Sequence, residues 1–157
     1  MEQDKLTSLT PNSSQNGEGG EKLLLAAEEG TTLSSGNIRL YGQLLPSPLG
    51  EGPGVRLVGC LDLYNYDPLN HRVAVGIMVA KEYRRQGYAL AMLDALVRSP
   101  FIVQHSSLHS LYADIAATNT ASLALFRKAG YEECGHFRDW LYVDGKYIDS
   151  IRMQKIL

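Results

Sequence analysis

Arg84-Arg85-Gln86-Gly87-Tyr88-Ala89 is the stretch of the chain whose residue types and spacing carry the clearest chemistry. An apolar run ending in Ile77-Met78-Val79 precedes it. A segment with Ala89, Met92, Leu93, Leu96 and Val97 on one stripe follows. That order reads as a buried strand, a turn with a single glycine, and an amphipathic helix. The N–H groups of a helix's first turn have no internal partner, and the dipole behind them favours an anion. Gly87 lets the main chain approach such an anion closely, and Arg84 and Arg85 add charge-assisted donors. Phosphate binding is the chemistry implied, although two arginines also suit a plain solvated turn.

The elements that have to position this turn can be read along the chain. Residues 1–21 are rich in Ser, Asn, Gln, Gly and charge, a composition that favours a mobile tail. Residues 22–29 (KLLLAAEE) suggest about two helical turns. The segment from 1 to 36 is therefore expected to be flexible or poorly ordered, ahead of one domain over 37–157. Strands are expected at 37–45, 55–64 (with Leu57, Leu61 and Leu63 on one face) and 71–79, with a Pro/Gly loop at 46–54. A helix follows from Gln86 to Arg98, then a strand at 108–115. Asn119 caps a second helix and Gly130 is its left-handed terminator. Asp144-Gly145 joins two last strands, 131–143 and 146–157, in a hairpin. This order implies an α/β (α+β) fold: a mixed, mostly antiparallel central sheet with flanking helices and one parallel pair.

A chain of 157 residues suits one domain, and 45% hydrophobic with 20% charged residues is ordinary for a soluble globular protein. The formal net charge of −2 does not point to nucleic acid or an anionic membrane as partner. Cys60 and Cys134 are the only cysteines and no CxxC or Cys/His cluster exists, so no metal site is expected. Both thiols read as buried small hydrophobes in a reducing, cytoplasmic compartment. No signal-like segment or bilayer-length apolar run is present.

Three features occur in order: R-R-Q-G-Y-A, then N-T-A-S-x-x-L-F-x-K-A-G-Y from Asn119 to Tyr131, then HFRDWLYVDGKYIDSIRM from His136 to Met153. Together they resemble the GNAT superfamily of acyl-CoA-dependent N-acetyltransferases over about residues 55–157. The closing hairpin is most similar to the branch of ribosomal-protein N-terminal and spermidine acetyltransferases. The resemblance implies a GNAT-like acyl-CoA N-acyltransferase fold and acetyl-CoA as cosubstrate. It implies acetyl transfer to a primary amine, either a protein N-terminus or a small amine such as a polyamine. It places the pyrophosphate on Arg84, Arg85, Gln86, Gly87, Tyr88 and Ala89, and the pantetheine arm along Ile77, Met78 and Val79. Asn119, Ser122, Phe126 and Lys128 of the second helix complete the coenzyme side.

In the mechanism the family implies, a neutral amine attacks the thioester, a strand amide stabilises the oxyanion, and an acid protonates the thiolate. Many relatives carry a tyrosine seven residues after the asparagine as that acid, where this chain has Phe126. Ser122 is the substitute, with Tyr88, Tyr112 or a water as alternatives. Asp62, Asp114, Asp139 and Asp149 are candidates for the base, and Trp140, Tyr142 and Tyr147 for an acceptor wall. Relatives usually have a longer N-terminal segment that closes over the acceptor. Either the N-terminus here is truncated or diverged, or the acceptor site is expected to be open or completed by a partner subunit in a homodimer; with Phe126, the alternative reading is a catalytically silent acyl-CoA-binding module.

Overall fold

The computed structural model of the protein describes residues 6–8, 22–28, 36–45, 54–99, 102–103 and 107–157. Among these residues the strands are β1 (Leu6–Ser8), β2 (Lys22–Glu28), β3 (Ile38–Leu45), β4 (Arg56–Asp67), β5 (Arg72–Val79), β6 (Ser110–Ala116), β7 (Glu132–Val143) and β8 (Lys146–Ile156). The longer helices are α1 (Tyr88–Arg98), between β5 and β6, and α2 (Thr120–Lys128), between β6 and β7. One sheet runs β1-β2-β3-β4-β5-β6-β8-β7. Every neighbouring pair is antiparallel except β5 and β6, whose parallel pairing needs the crossover that α1 supplies. The mixed, mostly antiparallel sheet expected from the element order is the one that forms.

Strand alternation sorts the side chains onto two unlike faces. Ile38, Leu40, Leu61, Leu63, Val73, Val75, Leu111, Ala113 and Ile115 point to one face and are buried. There they form a single core with Met92, Leu93 and Leu96 of α1 and with Leu123 and Phe126 of α2. Removing one of these, as in Leu96→Ala, costs about 2–5 kcal/mol. The opposite face carries Arg39, Tyr41, Asp62, Tyr64, Gly76, Tyr112 and Asp114, all half-buried or exposed. An antiparallel sheet tolerates one wet face in this way.

Local chemistry explains the ends of the elements. Asn119 Oδ1 accepts a hydrogen bond from the Ser122 N–H at 3.1 Å and caps α2. Gly130, at φ 83°, turns the chain out of it. Lys155 Nζ donates to the Ala129 carbonyl at 2.6 Å, next to the negative end of the same helix. Asp144 and Gly145 have φ of 49° and 77°, the two left-handed residues that a tight hairpin turn needs.

Several expectations are corrected. Residues 22–28 form strand β2, not a helix, and Leu23 and Leu25 are 3% and 0% exposed. Pairing with β3 on one side and β1 on the other, with α1 packed against it, overrides a helix-prone composition. Leu57 is 54% exposed while Leu61 and Leu63 are fully buried. A register shift between Gly42 and Gln43 on β3 falls between Leu57 and Gly59 on β4 and reverses the face. Cys60 is buried as expected, but Cys134 is exposed, set at a second register shift between Glu133 and Gly135 on the outermost strand. Of the tail expected over 1–21, Leu6–Ser8 instead form strand β1, and residues 1–5 and 9–21 lie outside the described residues, as do 46–53 of the loop expected over 46–54.

Candidate functional site

Strands β5 and β6 pair only at Arg72–Ser110, Val73–Leu111 and Ala74–Tyr112, although both continue further. Among the described residues, β5 pairs with β4 alone beyond Ala74, and β6 pairs with β8 alone beyond Tyr112. A wedge therefore opens in the middle of the sheet. Hydrogen-bond alternation shows which main-chain groups line it. The Ala80 N–H donates to the Val58 carbonyl at 2.9 Å, so even-numbered residues of β5 face β4. The His71 carbonyl accepts from the Ser110 N–H at 3.1 Å, so odd-numbered residues face β6. The N–H and C=O of Val75 and Ile77 thus turn into the wedge. On β6 the Ala117 N–H donates to the Asp149 carbonyl at 2.8 Å, so odd residues face β8 and the main chain of Asp114 turns into the wedge from the other side. Buried strands with polar main chain turned toward a gap suit an extended ligand that hydrogen-bonds as an added strand does.

The wedge leads to the turn before α1. Lys81–Tyr83 make one 3-10 turn, Arg84 is extended, and Arg85 and Gly87 have φ of 60° and 84°. Alternating left-handed residues aim successive N–H groups into one concavity that suits an anion. A non-glycine residue in this region costs about 1–2 kcal/mol, so Arg85 is strained. Two side-chain bonds brace the turn: Arg84 Nε to the Val79 carbonyl at 3.0 Å, and Gln86 Nε2 to the Glu82 carbonyl at 2.9 Å. The Ala91 N–H donates to the Gly87 carbonyl at 3.0 Å and closes the first turn of α1. The N–H groups of Tyr88, Ala89 and Leu90 lie ahead of that bond with no carbonyl behind them. Arg85, Gln86 and Gly87 are exposed, and Tyr88 is half-buried edge-on to Tyr83, 5.9 Å between centroids.

The remaining residues singled out in the sequence are spread around this axis. Ile77 packs on the core, and Met78, 61% exposed, stands on the open face. The Val79 carbonyl is engaged by Arg84. Ser122 is half-buried on the first turn of α2, where its N–H is taken by Asn119. Phe126 is 2% exposed and meets Tyr131 edge to face at 4.9 Å, inside the core. Lys128 is exposed in the last turn of α2.

On the open face beside the wedge is a cavity of about 340 Å³ lined by Asn37, Ile38, Arg39, Tyr41, Asp62, Tyr64 and Gly76. Gly76 makes its floor: a Cβ there would lie 3.6 Å from the Tyr64 ring and 3.9 Å from Asp62. The Tyr64 hydroxyl is held above its ordinary pKa, first by burial and then by the charges of Asp114 and Asp62, so it keeps its proton at neutral pH. Arg39 Nε and Nη2 grip both oxygens of Asp62 at 2.6 and 2.9 Å. Arg152 grips both oxygens of Asp114 at 2.7 Å, with its guanidinium 4.7 Å from the Tyr112 ring centroid and 5.2 Å from that of Phe137.

Of the four candidate bases, Asp62 alone lines the cavity. Asp149 lies near the start of β8, where its carboxylate accepts from the Asp139 N–H at 2.9 Å and meets His136 Nε2 at 2.7 Å. The Asp139 N–H first, and His136 second, hold the Asp149 carboxyl below its usual range. Asp139 is exposed at a register shift with φ 50°. Trp140, Tyr142 and Tyr147, at 64–67% exposed, stand on the hairpin arm that runs past the end of β6 and do not line the cavity.

Reading the sequence missed Arg39, Tyr41, Tyr64, Gly76 and Arg152. A signal existed for the first three: Arg39 and Tyr41 fall on the polar phase of one strand, and Tyr64, with Asp62, on that of the next. Antiparallel pairing of those phases brings them together.

Residues 37–132 match the family model of the acetyltransferase (GNAT) domain. The chain is 25% identical over 97 residues to spermidine N(1)-acetyltransferase of Vibrio cholerae, which covers 62% of this chain and 55% of that protein. It is 30% identical over 95 residues to the Bacillus subtilis protein YdaF, named as a ribosomal N-acetyltransferase, covering 60% of this chain and 51% of that one. The chain thus spans about half the length of these curated relatives. The crystal structure of Vibrio cholerae spermidine N-acetyltransferase in complex with CoA and spermine shares the fold, with a TM-score of 0.66 at 20% identity over 78% of this chain and 67% of that one. A wedge between two parallel strands, a phosphate-type turn behind it and the matched family model lead to one conclusion: the chain belongs to the GNAT acetyltransferase family.

Proposed function

We propose that the protein is an N-acetyltransferase that moves an acetyl group from acetyl-CoA to a primary amine by direct transfer. The observation that carries this reading is the continuous path from the wedge at Val75 and Ile77 to the left-handed Gly87 at the start of α1. The turn from Arg84 to Ala89 would hold the pyrophosphate on main-chain N–H groups, with Arg85 as a side-chain donor. The main chain of Val75, Ile77 and Asp114 would receive the pantetheine arm, beside Asn119 and Ser122 at the head of α2. Acetyl-CoA supplies an activated thioester, and the chain supplies alignment. The Ile77 N–H, turned into the wedge, is the donor placed for an oxyanion. Ser122 is the candidate for returning a proton to the thiolate.

The cavity over Gly76 is the acceptor entrance. It opens on the face opposite the helices, so amine and coenzyme reach the wedge from different sides. The free cysteines Cys60 and Cys134 suit a reducing cytoplasm. The exposed aromatics of the hairpin arm suit a homodimer contact, which light scattering would detect.

Thiol release from acetyl-CoA, followed with a panel of primary amines, tests the reading. Release that depends on both the amine and an intact Gly87 supports it. Coenzyme binding with no release on any amine would leave a silent acyl-CoA-binding module instead.

A further inference from the structure

Over β3 to β6, and among the described residues, the open face carries three carboxylates, Asp62, Asp67 and Asp114, and each one meets an arginine. Arg39 holds both oxygens of Asp62 and Arg152 both oxygens of Asp114. Arg72 Nη2 lies 3.1 Å from Asp67, which also accepts from the Leu69 and Asn70 N–H groups. An acceptor carrying several ammonium groups needs uncompensated anions to replace its hydration, and none of these three offers one. The cation at the cavity is placed otherwise. The Arg39 side chain is 53% exposed, and its Nη1 has no acceptor among the described residues. A guanidinium with Nε and Nη2 committed to one carboxylate still presents donors along its other edge.

We propose, on the reading that this cavity receives the acceptor, that it selects an α-amine flanked by a carbonyl or carboxylate, which Arg39 receives, and rejects polycationic amines. The Arg39–Asp62 pair then works as one unit. Asp62 is neutralised, so it does not trap ammonium groups, and Arg39 is oriented so that its free edge meets the group next to the reacting nitrogen. Arg39 is a specificity-determining residue in this account, and Tyr64 and Gly76 set the shape of the entrance.

The test compares kcat/KM for three acceptors with the full chain: a short peptide beginning Ser-Glu, free L-aspartate, and spermidine. The peptide or the amino acid should exceed spermidine by about tenfold or more, as a charge-assisted contact allows. The two α-amines are separated by which of them is favoured. Arg39→Gln should lower kcat/KM for the α-amine through KM. The same variant frees the Asp62 carboxylate and should raise kcat/KM for spermidine. A merely structural defect would lower both. Wild-type preference for spermidine, or parallel losses on both amines in Arg39→Gln, would overturn the proposal. Should no amine be acetylated although acetyl-CoA binds, the transferase reading fails by itself. Calorimetry of the same amines with the CoA-loaded protein then decides the selectivity: tighter α-amine binding upholds it, and tighter spermidine binding ends it.

Discussion

The wedge and the open face beside it are built in opposite ways. The wedge and its turn are made of main chain: strands that part after Ala74 and Tyr112, and a helix entered through a left-handed Gly87. The open face is made of side chains brought from β3, β4, β6 and β8 and locked in Arg–Asp pairs. Main-chain devices tolerate most side-chain changes but depend on a few special conformations. Side-chain devices depend on every partner. Substitutions should therefore separate coenzyme binding from acceptor choice.

The largest effect belongs to Gly87→Glu. A side chain at φ 84° adds about 1–2 kcal/mol of strain, and its carboxylate opposes the pyrophosphate. Coenzyme affinity measured by calorimetry should fall by about 100-fold or more, with the fold retained by circular dichroism. Gly76→Ile sharpens the contrast by filling the cavity floor against Tyr64. It should raise the acceptor KM by about tenfold while coenzyme affinity stays near the wild-type value. Equal losses of both would mean that the two regions are not separable.

Ser122→Ala should lower turnover by about tenfold, less than a usual general acid because a thiolate leaves readily, and should lower turnover more than coenzyme affinity. Unchanged turnover removes Ser122 from the mechanism. Tyr131→Phe lies in neither region. The Tyr131 hydroxyl is buried with no hydrogen-bond partner among the described residues, and burial pushes its pKa well up. Removing it should stabilise the protein by about 1 kcal/mol, read as a higher Tm at unchanged activity.

The smallest effect is one of pH. Asp149 has its pKa lowered in the folded chain, so its contribution to stability is present above its unfolded pKa near 3.8 and is lost as pH falls through the lower folded value. Asp149→Asn should flatten that acid limb in denaturation curves collected below about pH 4 and change little at neutral pH.

The same contrast explains what could be read from the sequence. Gly87 with its arginines, Asn119 with Gly130, and Asp144-Gly145 each specify a local conformation through a few neighbouring residues, and all three form where expected. Arg39 and Asp62 are 23 residues apart and meet only through register, which a shift at Gly42/Gln43 alters further along the same pair of strands. That shift turns Leu57 outward where simple alternation places it with Leu61 and Leu63. Residues 22–28 read as a helix because Leu, Ala and Glu favour one locally, while burial between β1 and β3 selects a strand. The open face proposed for the acceptor depends on long-range pairing throughout, so little of it is legible in the sequence.

The central claim is that a diphosphate lies across the main-chain N–H groups at Gly87. Calorimetric titration of the protein with acetyl-CoA and with acetyl-pantetheine, which has the same thioester arm and no diphosphate, tests it most directly. Strong heat with acetyl-CoA and a loss of most of the affinity with acetyl-pantetheine is the expected result. Equal affinity for the two, or no binding of acetyl-CoA, would contradict the account.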